Sequence, residues 1–313
     1  MGNIVYRGND FYTGDVGQLN SFMTGFCQSI LSLDPSILTL STDSGQFQWG
    51  VLASLPAPSA TVPFGSNVFK FDDGYGVLFM KFEYFRRDTT YEWLTMRVTI
   101  GTGSNGSGTI TGIIMDRNFP FPGYQSTQLV TNFITRYYTN RMVCRPGFFA
   151  ISFLGDNPII DYRVSNIFAI SRPVNSSNTI VSNKLIVYST NNTMSQTSTP
   201  VSGHASQSYR LVYDLNTLTQ ISSDVINNYW TGYGLTSLYP INGNGETRYS
   251  RVLIRAPEFL IEPNIIYSKK TDLGWDSVIK PSGNGGPVFS EWGCFGHYNS
   301  QIANLYTGFV RWE

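Results

Sequence analysis

Leu78-Phe-Met-Lys-Phe-Glu-Tyr84 and Trp93-Leu-Thr-Met-Arg-Val-Thr-Ile100 decide the fold class of this chain. In the first, Leu78, Met80, Phe82 and Tyr84 alternate with Phe79, Lys81 and Glu83. In the second, Leu94, Met96, Val98 and Ile100 alternate with Trp93, Thr95, Arg97 and Thr99. Side chains of a strand point alternately to its two faces, so a period of two marks antiparallel strands with one face inward and one outward. Working outward, Phe148 to Leu154 is apolar on both sides and reads as a central strand. Further strands are expected at Tyr162–Ile170, Lys184–Ser189, Arg210–Asp214, Arg251–Arg255 and Thr307–Trp312. Turn chemistry separates such segments at Asp72-Asp73-Gly74, Asn105-Gly106, Asn242-Gly243 and Gly283-Asn284-Gly285. The expected class is mainly β, an antiparallel β-sandwich of jelly-roll-like kind with a short N-terminal helix.

That helix is the one strong helical pattern. Asp15 is placed to cap it, Val16, Leu19, Phe22, Met23, Phe26, Cys27, Ile30 and Leu31 follow helical spacing, and Asp34-Pro35 stops it. Two readings stand for it: core packing alone, or one face on the sheet and the other against a neighbour. The expected organisation is an arm and helix at residues 1–34, a β lobe at 35–190 and a small, polar loop or linker at 191–208. Residues 209–313 then form a second β lobe or continue the same sandwich.

Composition narrows the function. Of 313 residues, 41% are apolar, enough for a real core, and only 13% are charged, about half the usual share. Lys plus Arg balances Asp plus Glu at 21 each, so the basic surplus that duplex nucleic acid demands is missing. Arg136, Arg141 and Arg145 are the best candidates for a local basic patch, against the plainer reading of three solvated strand-end arginines. Sparse, balanced charge gives little self-repulsion and permits dense packing against copies. The three cysteines Cys27, Cys144 and Cys294 cannot all pair within one chain, and neither a secretory segment nor a membrane-length apolar run is seen. Synthesis in a reducing cytoplasm with buried free thiols is expected, and the sequon-like triplets at Asn105, Asn175 and Asn191 then carry no meaning.

Catalytic look-alikes fail on their spacing. Gly101-Thr-Gly103-Ser-Asn-Gly106 matches the dinucleotide fingerprint, but Ser107-Gly-Thr-Ile-Thr-Gly112 beyond it alternates and is broken by glycine, so a hairpin replaces the helix a pyrophosphate needs. Gly283-Asn284-Gly285-Gly286-Pro287 has Asn where a protease loop has its nucleophilic Ser, and His204 and His297 lack a base context. Cys294 and His297 are short of a zinc set, and Asp72-Asp73-Gly74 is only a fragment of a calcium loop. Asp156 or Asp161 with Glu258 are arbitrary picks for a glycosidase pair. No catalytic residue, cofactor or metal ligand is assigned. Tyr229, Trp230, Tyr233, Tyr239, Phe289 and Trp292 lie among Gly, Asn and Ser and are the candidate contact aromatics, with core packing as the plainer alternative.

Several segments resemble a loose group of tailed-bacteriophage virion proteins. Phe79-Met-Lys-Phe-Glu-Tyr84, followed by Trp93-Leu-Thr-Met-Arg-Val-Thr-Ile-Gly-Thr-Gly103 to Gly112, is similar to an "MKxEY" strand preceding a "VTVGTG" hairpin. Phe168-Ala-Ile-Ser-Arg172 with Leu185-Ile-Val-Tyr188 is similar to a second hairpin, with Arg172-Pro173 and a Ser/Asn run in place of its Arg-Thr and Asp-Gly. Phe11-Tyr-Thr-Gly-Asp15 and Phe309-Val-Arg-Trp-Glu313 also fit, so the likeness covers about half of the chain in patches. It implies a non-enzymatic structural component of a phage particle, associated with tail, baseplate or fibre, made in the host cytoplasm and built into the virion. Its expected partners are copies of itself and other virion proteins, with no nucleic acid and no membrane insertion. The alternatives are a carbohydrate- or receptor-binding module, which makes a host-surface glycan a candidate partner, and a capsid decoration protein.

Overall fold

The computed structural model describes residues 2–12, 15–59, 61–86, 94–120, 134–157, 162–190, 207–227, 249–255, 259–269, 278–279, 292–294 and 306–311. The alternating segments become neighbours in one antiparallel sheet. Its strands are β2 (Leu38–Leu40), β3 (Gly65–Asp72), β4 (Val77–Arg86), β5 (Leu94–Ser104) and β6 (Ile110–Pro120), in that spatial order. Before them come β1 (Gly2–Tyr12) and α1 (Val16–Leu31).

A second sheet takes β1 at its edge and then β7 (Ile134–Arg145), β8 (Phe148–Asn157), β9 (Tyr162–Ser171), β10 (Lys184–Thr190), β11 (Gln207–Asp214) and β12 (Thr219–Asn227). Apart from β1 beside β7, strands adjacent in sequence are adjacent in space in these two sheets, so both are meanders of short-range pairings. β10 and β11 pair with each other from Lys184↔Asp214 to Thr190↔Ser208, so the strands flanking the polar stretch at 191–208 belong to one sheet. The third sheet has the order β13 (Tyr249–Arg255), β14 (Phe259–Lys269), β17 (Tyr306–Arg311), β16 (Trp292–Cys294), β15 (Val278–Ile279).

The chain is a mainly β protein, and its first two sheets face each other as a sandwich. From the five-stranded sheet Phe69, Phe71, Leu78, Met80, Phe82, Met96, Val98 and Ile100 point inward, all at most 1% exposed. From the seven-stranded sheet Met142, Cys144, Phe149, Ile151, Phe168, Ile170, Leu185 and Val187 meet them. Phe82 stands edge-on to Phe168 with ring centroids 6.1 Å apart, and Phe71 lies 6.5 Å from Phe149, so the aromatic rows interlock across the gap. Each such side chain, fully buried, contributes about 1.5–3 kcal/mol of transfer free energy.

Helix α1 belongs to this same core. Asp15 accepts the Gln18 amide at 2.8 Å as the N-cap, and Leu19, Phe22, Met23, Phe26, Cys27 and Ile30 are buried to within 1%. The residues it exposes are Gly17, Gln18, Ser21 and Gln28. The apolar stripe is thus packed in the core, as both readings of the helix require. It ends at Leu31, where the Ser32 amide reaches back to the Gln28 carbonyl, before the Asp34-Pro35 pair expected to stop it.

Among the described residues, the middle of the seven-stranded sheet is buried on both faces. Val143, Phe148, Ala150, Ile186 and Val212 point away from the sandwich core yet are at most 2% exposed. This agrees with β8 reading as a central strand. A backbone bridge joins Val174, between β9 and β10, to Ile261 of β14, with N–H···O distances of 2.9 and 2.8 Å.

Candidate contact surfaces and buried polar sites

The glycine-rich segment that imitates a dinucleotide loop is the β5–β6 hairpin. Asn105 Oδ1 accepts the amides of Ser107 at 2.9 Å and Thr109 at 3.1 Å, and Gly106 and Gly108 adopt φ of 81° and 79°, which a side chain would resist. A strand comes next, so there are no converging helix-end amides. The hairpin is also docked. Asp43, from the loop after β2, accepts the Gly108 amide at 3.0 Å, the Ser41 hydroxyl at 2.5 Å and the Ser104 hydroxyl, while Ser44 N–H reaches the Gly106 carbonyl at 2.9 Å. Burial alone pushes the Asp43 carboxyl up, but the donors from Ser104, Ser41, Gly108 and Gly106 outweigh it and hold the group below its usual range. The Gly108 amide is thus committed to a protein carboxylate.

The outward face of the five-stranded sheet carries a ladder of charge across β4, β5 and β6. Lys81 Nζ lies 2.9 Å from Glu83, Glu83 lies 3.5 Å from Arg97, and Arg97 Nε donates to Asp116 at 2.6 Å. The Asp116 hydrogen bond, aided by the nearby carboxylates, raises the Arg97 guanidinium further above its ordinary value. Within this ladder two cations face two anions, so their fields largely cancel.

The strongest polar site is buried between the sheets. Arg172, just after β9, is 1% exposed and Asp73, in the β3–β4 turn, is 0% exposed at the side chain. Arg172 Nε donates to Asp73 Oδ2 at 2.5 Å and Nη2 to Oδ1 at 3.2 Å; further bonds run to the carbonyls of Ser182 (2.5 Å) and Gly76 (3.2 Å). Asp73 Oδ1 also accepts the Tyr75 amide at 2.9 Å. The Asp72-Asp73-Gly74 fragment is thus a turn whose buried carboxylate is committed to a guanidinium from the opposite sheet. Neither partner announced the other in sequence. The available signal was an arginine closing the apolar run Phe168-Ala-Ile-Ser-Arg172.

The arginine expectations need correction. Arg141 and Arg145, four residues apart on β7 and on the same side of the strand, are only 6% and 5% exposed, so they are neither a phosphate-facing patch nor solvated strand ends. The Arg145 guanidinium lies 5.0 Å from the Phe148 ring centroid, where the aromatic face stabilises it. The side chain of Arg136, also on β7, lies outside the described residues.

Cys27 and Cys144 are buried free thiols in the sandwich core. Cys27 Sγ is 3.5 Å from Tyr84 Oη, and desolvation drives its thiol far above the ordinary value; burial pushes Cys144 up to about 12. Among the described residues no group of three or more His, Cys, Asp or Glu side chains is placed to hold a metal ion. Likewise, no helix among them is long and apolar enough to cross a membrane.

A polar network that sequence reasoning missed caps the edge of β3 beyond its short pairing with β2. Trp49 Nε1 donates to Asn67 Oδ1 at 2.8 Å, Asn67 Nδ2 donates to the Phe47 carbonyl at 3.2 Å, and Gln46 Oε1 accepts the Val68 amide at 2.9 Å. With the Ser41 and Phe47 amides, which donate to the Val68 and Ser66 carbonyls at 2.8 Å each, these side chains satisfy an edge that would otherwise invite another chain.

Of the candidate contact aromatics, Tyr229, Trp230, Tyr233, Tyr239 and Phe289 lie outside the described residues, as do His204, His297, Asp161, Glu258 and Asn284. Trp292 opens β16, paired with Ile279 and Arg311, and Cys294 closes that strand. Compared with protein-family models, curated protein sequences and solved structures, the chain gives no match.

Proposed function

We propose that the chain is a non-enzymatic structural component of a phage particle, associated with tail, baseplate or fibre, and that it acts by assembling with copies of itself and with other virion proteins. The observation that carries this reading is how the resembling segments fold. The MKxEY-like strand is β4, and the hairpin that resembles VTVGTG is β5 and β6, so the separate sequence patches are three consecutive strands of one sheet. Their polar groups serve the fold: Asp43 anchors the hairpin tip and the Lys81–Glu83–Arg97–Asp116 ladder neutralises the outer face. Low, balanced charge and long antiparallel strands favour close association over diffusion as a solitary solute.

Quantitative mass spectrometry of purified particles from the source of the chain tests this. The proposal expects it at a fixed stoichiometry that follows a symmetric axis. Particles that lack it contradict the proposal, and a copy number set by capsid geometry would move it to head decoration.

A further inference from the structure

The seat of β1 carries the inference. β1 lies at the edge of the seven-stranded sheet and, among the described strands, pairs only with β7, through ten residue pairs from Gly2↔Cys144 to Tyr12↔Ile134. Its inward residues Ile4 and Tyr6 cover the core without being sealed in it. Tyr6 enters a slot on α1: its ring centroid is 6.2 Å from that of Phe22, its hydroxyl lies 3.5 Å from the Ser21 carbonyl, and Gly25 leaves room for it where a Cβ would collide with the ring. The slot is cut for this strand, and the only sequence certain to fill it is that of β1.

The seam also contains a defect. Asn140 of β7 faces Tyr6 and is 0% exposed, yet neither its Oδ1 nor its Nδ2 has a hydrogen-bond partner among the described residues. A buried amide that forms no bonds favours whatever state returns it to water. Here that state is one with β1 lifted from β7. β1 ends at Tyr12 and α1 begins at Val16, so a short connection lets the strand leave while the helix stays in the core.

We infer that β1 is a strand exchanged between copies: in the assembled protein the seat beside β7 takes β1 of a second copy of this chain. An identical strand reproduces the register and fills the same slot, which makes exchange between copies a low-cost route to association. This deepens the assembly reading and rests on it for the partner. Lifting of β1 itself is a property of the single chain.

The test uses the full-length protein with Asn3→Cys and Val143→Cys, positions that face each other across β1 and β7. The concentrated protein is oxidised and run on a non-reducing gel, with bridges mapped by mass spectrometry. Covalent dimers or ladders joined through these positions support exchange; bridges found only within one chain overturn it. The solution mass of the same sample reports separately on assembly, so an oligomer with only internal bridges removes exchange and leaves the assembly reading standing. Hydrogen exchange of the unsubstituted protein guards against a variant that does not fold. β1 amides are expected to open at least tenfold more readily than those of β8, and Asn140→Val is expected to slow β1 opening about tenfold, as relief of one unmet buried amide implies. β1 amides that exchange only together with those of β8 overturn the inference.

Discussion

Replacing Arg172 by Met tests the link between the two sheets of the sandwich. The substitution keeps an unbranched side chain of similar reach and removes the guanidinium, with its bonds to both Asp73 oxygens and to the Ser182 and Gly76 carbonyls. It leaves the Asp73 carboxylate in a site with 0% side-chain exposure, with the Tyr75 amide as its remaining donor among the described residues. Stranding one member of a buried pair costs about 3–5 kcal/mol. At about 2–4 °C per kcal/mol for a domain of this size, the midpoint should fall by roughly 6–20 °C. Thermal and urea unfolding followed by circular dichroism and tryptophan fluorescence reads this directly. Asp73→Leu combined with Arg172→Met should recover most of the loss, because two apolar side chains leave no buried charge behind. A single Arg172→Met variant within about 1 kcal/mol of the parent would refute the reasoning, as would two single losses that simply add.

Other consequences arise from the same contacts. Phe82→Ala removes a ring that touches Phe69 and Phe168 in the core and should cost about 3–5 kcal/mol in urea unfolding. The Asp43 carboxyl is held below its ordinary 3.8, so its contribution is complete above that value and is lost as pH falls through the lower folded value. Stability measured from about pH 5 to pH 2 should therefore drop less steeply in Asp43→Asn, and equal slopes would contradict the docked hairpin. Cys27 and Cys144 should resist alkylation at about pH 8 in the native state and react only on unfolding; rapid labelling of either would contradict its burial.

Much of the sandwich was legible because its signals are local. The alternation in β4 and β5, the apolar run of β8 and the Asn105-Gly106 turn each sit within a few residues of one another. α1 was legible for the same reason, its cap and apolar stripe lying within one segment. The failures were long-range. Gly2–Tyr12 carries weak alternation and by sequence reads as part of an arm; it forms a strand because β7, more than a hundred residues later, offers it an edge. Arg141 and Arg145 looked like surface charges because burial of a strand's second face depends on what the rest of the chain lays over it. The Arg172–Asp73 pair spans 99 residues and could not be read from either neighbourhood. Among the candidate contact residues, Trp292 alone falls within a described strand.

As proposed above, this chain is a self-assembling building block. Light scattering during size-exclusion chromatography of the purified protein tests it most directly. Self-assembly gives an integral multiple of 35.0 kDa, such as a trimer or hexamer, that persists on dilution. A sharp peak at 35.0 kDa that does not shift with increasing concentration would contradict it.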